Sequence, residues 1–112
     1  MTVPTEHVEQ VNLINWIRHN HPNHWVFAVP NGERREVSVG KRLKAEGVSK
    51  GVPDLFIPSL KLFIEMKRLK GSDTRKEQKI WIEYLKLNGY GAEICKGAEA
   101  AKKIITERIN EI

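Results

Sequence analysis

Two residues, Pro58 and Ser59, are all that separate the apolar run Leu55-Phe56-Ile57 from the longer run Leu60–Lys67. A connection that short joins only antiparallel neighbours, because a parallel crossover needs at least about a dozen residues. Both runs have strand length and are rich in Leu, Ile and Phe. The next apolar run, Tyr90–Cys95, lies beyond a segment with helical signals. Thr74-Arg75-Lys76-Glu77 has the form of a capping box, Ile80, Trp81, Tyr84 and Leu85 supply an apolar face, and Asn88-Gly89 supplies a stop. A helix between two strands makes their connection a parallel crossover. One antiparallel and one parallel pairing about a shared strand define a small mixed sheet.

The remaining elements follow the same rules. Thr5 caps a helix that runs to about Asn20, with Glu6 in its first turn, where the helix dipole favours an acid. Val8, Val11, Ile14 (or Leu13) and Ile17 give its apolar stripe. Trp25–Val29 reads as a strand, broken by Pro30-Asn31-Gly32. A short helix is expected around Val39–Glu46. Gly97 precedes a last helix to about Glu111, with Ala100, Ala101, Ile104, Ile105 and Ile109 inward. The order is α-β-β-β-α-β-α, an α/β fold, and 112 residues suit one domain spanning 1–112.

The 19 Lys and Arg outweigh the 14 Asp and Glu, and the excess sits mid-chain. Residues 33–50 carry a net charge of +3 and residues 61–79 a net of +4, whereas residues 90–112 balance. Such a distribution suits a polyanionic partner. Lys41, Arg42, Lys44 and Lys50 are candidates to grip phosphates. No apolar run is long enough to span a membrane. The single cysteine, Cys95, excludes an internal disulfide and reads as a buried thiol, as in a reducing cytoplasm.

The chemistry concentrates on Asp54 and the segment Glu65-Met66-Lys67. Side chains alternate along a strand, so Phe63, Glu65 and Lys67 share one face while Ile64 and Met66 take the other. Pairing the two strands as a hairpin brings Asp54 near the strand that carries Glu65. Two carboxylates and an ammonium then converge at a sheet edge. Mg²⁺ prefers oxygen ligands, often carboxylates plus waters and substrate phosphate, and Asp54, Glu65 and the Met66 carbonyl can supply them. Lys67 can orient or deprotonate an attacking water, or offset phosphate charge. Charges closing an apolar strand are costly unless paired, which sets this ending apart from an ordinary buried strand.

Gly51-Val52-Pro53-Asp54 followed by Leu62-Phe63-Ile64-Glu65-Met66-Lys67 resembles the PD-(D/E)xK nuclease signature, and within it the VRR-NUC family. Pro30-Asn31-Gly32 with Arg34 and Arg35 resembles that family's basic segment. Leu43–Val48 leading to Gly51–Asp54, Thr74–Gln78 with Trp81, Leu85 and Gly89-Tyr90, and a leading Glu6/Gln10 element match in order. The resemblance implies a restriction-endonuclease-like core and Mg²⁺- or Mn²⁺-dependent hydrolysis of DNA phosphodiesters. It implies that Asp54 and Glu65 hold the metal, that Lys67 is the catalytic lysine, and that Gln78 is an accessory site residue. A helix-one glutamate joins the site; Glu6 fits by its spacing to Gln10, with Glu9 as the rival. Asn31, Arg34 and Arg35 join the expected DNA-binding set. Stand-alone members resemble Holliday-junction resolvases and form homodimers. That implies a structure-selective endonuclease on branched DNA, in a bacterial or phage-infected cell. With no added recognition domain in the sequence, targeting falls to the dimer, the basic segment or a partner. The alternatives are a restriction-like or exonucleolytic repair enzyme, and a DNA-binding module without cleavage.

Other residues are assigned structural roles. His19-Asn20-His21 lacks the separation that an HNH nuclease motif requires. His7, His19, His21 and His24 present no zinc-ligand spacing with a second cysteine. Trp16, Trp25 and Trp81 are expected in the core. Gly51 is expected to allow a tight turn ahead of Asp54.

Overall fold

The computed structural model describes residues 2–30 and 37–112, with the backbone alone for residues 37–39. Its elements are α1 (Glu6–Asn20), β1 (Phe27–Ala28), α2 (Val37–Ala45), β2 (Leu55–Ile57), β3 (Leu62–Lys67), α3 (Lys76–Leu87), β4 (Gly91–Lys96) and α4 (Ala98–Asn110). The sheet order is β1-β2-β3-β4. β2 pairs with β1 and β3 antiparallel, and β3 pairs with β4 parallel. This is the mixed sheet that the connection lengths require.

The β2–β3 turn is longer than two residues. Pro58–Leu60 forms one 3-10 turn, and Lys61 follows in the left-handed region at φ 49°. Strand β3 therefore begins at Leu62, not Leu60. β1 is also shorter than the apolar run around it, although Val29 N–H still bonds the Asp54 carbonyl at 2.7 Å.

The strand faces divide the core. Leu55, Ile57, Leu62, Ile64 and Met66 pack with Leu13 and Ile17 of α1 and with Ala98, Ala101 and Ile105 of α4. On the opposite face Phe63, Ala92 and Ile94 meet Trp81, Ile82 and Leu85 of α3. The sheet is thus a middle layer between α1/α4 and α3.

Three helix details differ from the sequence reading. The buried stripe of α1 is Glu9, Leu13 and Ile17, at strict four-residue spacing, while Val8 and Val11 are exposed. The helix is rotated because Glu9 turns inward against Gly97, where an added Cβ would lie 2.8 Å from Glu9 Oε2. That puts a carboxylate at the N-terminal end of α4, the end that favours negative charge. In α3 the inward face is Gln78, Trp81, Ile82 and Leu85; Ile80 and Tyr84 are exposed. Its N-cap is Arg75, one residue past Thr74, because Gln78 Oε1 accepts from Arg75 N–H at 2.9 Å. Trp25 is 79% exposed, against the expectation for a core residue: it precedes β1 and lies outside the sheet. Trp16 and Trp81 are partly buried against the core as expected.

Cys95 is fully buried, and burial, reinforced by the Glu93 charge, pushes its thiol up to about 12 from 9.0. The native thiol therefore stays protonated where an unfolded one ionises. Its contribution to stability is complete below about pH 9 and is lost as pH rises toward 12. A disulfide exchange reagent at pH 8 is expected to leave native Cys95 unmodified over hours and to react within minutes in urea. Rapid modification of the native protein would contradict this placement.

Candidate active site

The register of β2 on β3 pairs Leu55 with Ile64, Phe56 with Phe63 and Ile57 with Leu62. One further step places Asp54 opposite Glu65, and residues directly opposite share a face. The side chain of Asp54 is anchored there, since Met66 N–H donates to its Oδ2 at 2.8 Å. An extended residue aims its N–H and C=O at the same neighbour. The Met66 carbonyl therefore faces the Asp54 side too, while the flanking Lys67 carbonyl turns the other way and accepts from Gly97 N–H at 2.8 Å.

α1 brings a third carboxylate. Thr5 caps the helix by accepting from Val8 N–H at 3.2 Å, which starts the first turn at Glu6. Carboxylate oxygens of Glu6, Asp54 and Glu65 all lie within 4.8 Å of one another. Ligands about 2.1 Å from an octahedral Mg²⁺ sit about 3 Å apart when adjacent and about 4.2 Å apart when opposite, so small side-chain rotations would bring the three oxygens onto such an ion. Without a cation they repel, and a bound divalent ion turns that repulsion into ligation. Of the two candidate glutamates on α1, Glu6 belongs to the cluster, and Glu9 points to α4 instead.

Glu65 and Lys67 are 2% and 6% exposed. Lys67 Nζ lies 3.6 Å from Glu65 Oε2. Gln78 Nε2 donates to the same Oε2 at 2.9 Å, while its Oε1 accepts from Arg75 N–H. Gln78 thus spans from the first turn of α3 to the carboxylate, and both ends of its amide are used. The amide is itself buried, so its orientation is held tightly.

A close backbone contact sets the distance between Asp54 and Gln78. Gly51 has φ +92°, and a Cβ there would come within 2.6 Å of Glu77 backbone carbon. Only glycine lets the chain ahead of Asp54 lie directly on the first turn of α3. The sequence indicates a tight turn at Gly51, and no local pattern there signals the contact with the helix.

Of the basic residues singled out from the sequence, Lys41, Arg42 and Lys44 project from α2 and are exposed, as is Lys50. Arg42 pairs with Glu46 at 3.4 Å, four residues on, which offsets part of its charge. Asn31, Arg34 and Arg35 lie outside the described residues.

The VRR-NUC domain model matches residues 5–99. The chain belongs to the VRR-NUC family. A solved structure described as a VRR-NUC domain protein is similar over 98% of this chain and 92% of its own, with a TM-score of 0.81 and 25% sequence identity. No curated protein matches the sequence. Membership implies a nuclease-like function in DNA processing, and the acidic cluster could bind a metal.

Proposed function

We propose that this chain is a single-domain, Mg²⁺- or Mn²⁺-dependent DNA endonuclease that acts on branched DNA such as Holliday junctions as a homodimer. The observation that carries the reading is the meeting of Glu6, Asp54 and Glu65 within 4.8 Å, with Lys67 3.6 Å from one of them. Glu6, Asp54, Glu65 and the Met66 carbonyl would hold the ion. When bound, the ion supplies Lewis acidity toward the scissile phosphate and lowers the pKa of a coordinated water.

This chain's own residues do the rest. Lys67, buried and next to Glu65, orients or deprotonates the attacking water and offsets charge developing on the phosphate. Gln78 is a positioning residue, holding Glu65 Oε2 toward the cluster through its own fixed amide. Met66 N–H does the same for Asp54. The exposed Lys41, Arg42, Lys44 and Lys50, together with Asn31, Arg34 and Arg35, contact the DNA backbone. Among the described residues no helix is long and apolar enough to cross a membrane.

The test is a cleavage panel of linear duplexes, flaps, forks and four-way junctions in Mg²⁺, in Mn²⁺ and in excess EDTA. Paired nicks near the branch point, in either metal and not in EDTA, are expected. Stepwise loss from duplex ends would replace the endonuclease with an exonuclease. DNA binding that persists in EDTA without cleavage in any divalent metal would overturn the catalytic reading.

A further inference from the structure

The sheet face that carries Asp54 and Glu65 also carries a row of aromatic rings that begins two residues along the strands from them. Phe27 pairs with Phe56, and Phe56 with Phe63, across β1, β2 and β3. Phe56 and Phe63 stack with centroids 4.1 Å apart and planes 23° from parallel. Phe27 meets Phe56 edge to face at 5.8 Å, and Tyr90 meets Phe63 likewise at 5.6 Å. Packing on α3 explains Phe63 at the centre of this row. It does not explain the ends, where Phe27 is 52% and Tyr90 38% exposed.

The position of the row is specific. Phe56 and Phe63 lie two residues along their strands from Asp54 and Glu65, on the same face. Two strand residues span about 6.7 Å. That is about the distance between a backbone phosphate and a neighbouring base once the base leaves its stack. A paired base cannot use the surface, because its faces are covered by its neighbours in the duplex. An unpaired base can, and aromatic rings accept any base by its π-face.

We propose that the Phe27–Phe56–Phe63–Tyr90 row is a stacking platform for unpaired nucleotides that leads away from the scissile phosphate, with Phe27, Phe56 and Phe63 two residues from the level of the carboxylates and Tyr90, beside Lys61, two residues further on. It would make locally single-stranded DNA, at a flap, a fork or an opened branch point, the preferred substrate class. The proposal rests on the nuclease reading above and supplies that site's selectivity. The platform is laid out by register and by shared orientation with the carboxylates, not by one exposed ring.

The test uses Phe27→Leu and Tyr90→Leu, at the two exposed ends of the row, where the change leaves the core intact. Binding is measured in Ca²⁺, which suits the carboxylate site but supports little hydrolysis, with a flap DNA carrying 2-aminopurine beside the branch and with a fully paired duplex. Wild type is expected to quench the 2-aminopurine. Each variant is expected to lose about tenfold in affinity for the flap, to lose the quenching, and to bind the duplex unchanged. Equal loss on both DNAs, or no loss on either, overturns the platform. So does a dimer that Phe27→Leu dissociates with DNA affinity unaltered, which would make the row a contact between copies. Wild-type cleavage in Mg²⁺ or Mn²⁺ is read separately. Cleavage with an inert aromatic row sinks only the platform; quenching without cleavage sinks only the enzymatic reading.

Discussion

Asp54→Asn is expected to lower the rate of DNA cleavage by about a thousandfold or more while leaving the fold in place. Asparagine has nearly the shape of aspartate, and its Oδ1 can still accept the Met66 N–H that now bonds Oδ2. The local backbone is thus preserved and one negative charge is removed. A second readout separates this from damage. The three clustered carboxylates repel one another when no cation is present. In EDTA, Asp54→Asn is therefore expected to have a Tm equal to or above wild type, and the rise in Tm that Mn²⁺ gives wild type is expected to shrink. Lys67→Met, which keeps the buried stem and removes the charge, is expected to cost about a hundred- to a thousandfold in rate with metal binding largely retained. Cleavage at the wild-type rate in either variant would refute its assigned role.

Among Gly47, Gly51, Gly71, Gly89, Gly91 and Gly97, Gly51 is expected to cost the most stability on replacement by alanine. The residue has φ +92°, which costs a non-glycine residue roughly 1–3 kcal/mol. The new Cβ would also fall 2.6 Å from Glu77 atoms, one of them backbone carbon, which cannot swing aside. Together these are expected to remove at least about 3 kcal/mol, a fall in Tm of about 10 °C or more for a domain of this size. Whatever native protein remains is expected to cut poorly, because relief of the clash pushes the Asp54 segment away from the α3 turn that carries Gln78. Gly47→Ala is the control. It too has positive φ, but nothing lies within 4 Å of its Cβ, so only the backbone cost applies. Similar losses at both positions would show that the contact with Glu77 carries no weight.

Much of this was legible in the sequence because turn length and side-chain alternation are strong constraints. The short Ile57-to-Leu62 connection forces antiparallel pairing, and the helix before Tyr90 forces the parallel one. Those two facts bring Asp54 to the strand that carries Glu65, and alternation puts Lys67 on the face of Glu65; the register that sets Asp54 opposite Glu65 comes from the 3-10 turn and the left-handed Lys61, which no two-residue turn would give. Thr5 and Asn88 marked helix ends because their side chains and backbones solve a local hydrogen-bonding problem. The rotation of a helix about its axis is set by what it packs on. Val8 and Val11 are as apolar as Leu13, yet Glu9 takes the inward position because Gly97, far along the chain, leaves space for its carboxylate. Gln78 displaced Glu77 from the capping position for a similar reason: its amide serves Arg75 and Glu65 together. Trp25 shows the converse, an apolar residue left outside because its strand begins two residues later. The aromatic row required the register of three strands, which no local pattern states.

The central claim is that Glu6, Asp54 and Glu65 jointly receive one divalent cation. The most direct measurement is anomalous scattering from crystals soaked in Mn²⁺. A peak about 2.1 Å from an oxygen of each of the three carboxylates is expected, absent in Asp54→Asn. A protein that cuts DNA in Mn²⁺ yet shows its peak elsewhere, or an unmoved peak in Asp54→Asn, would contradict it.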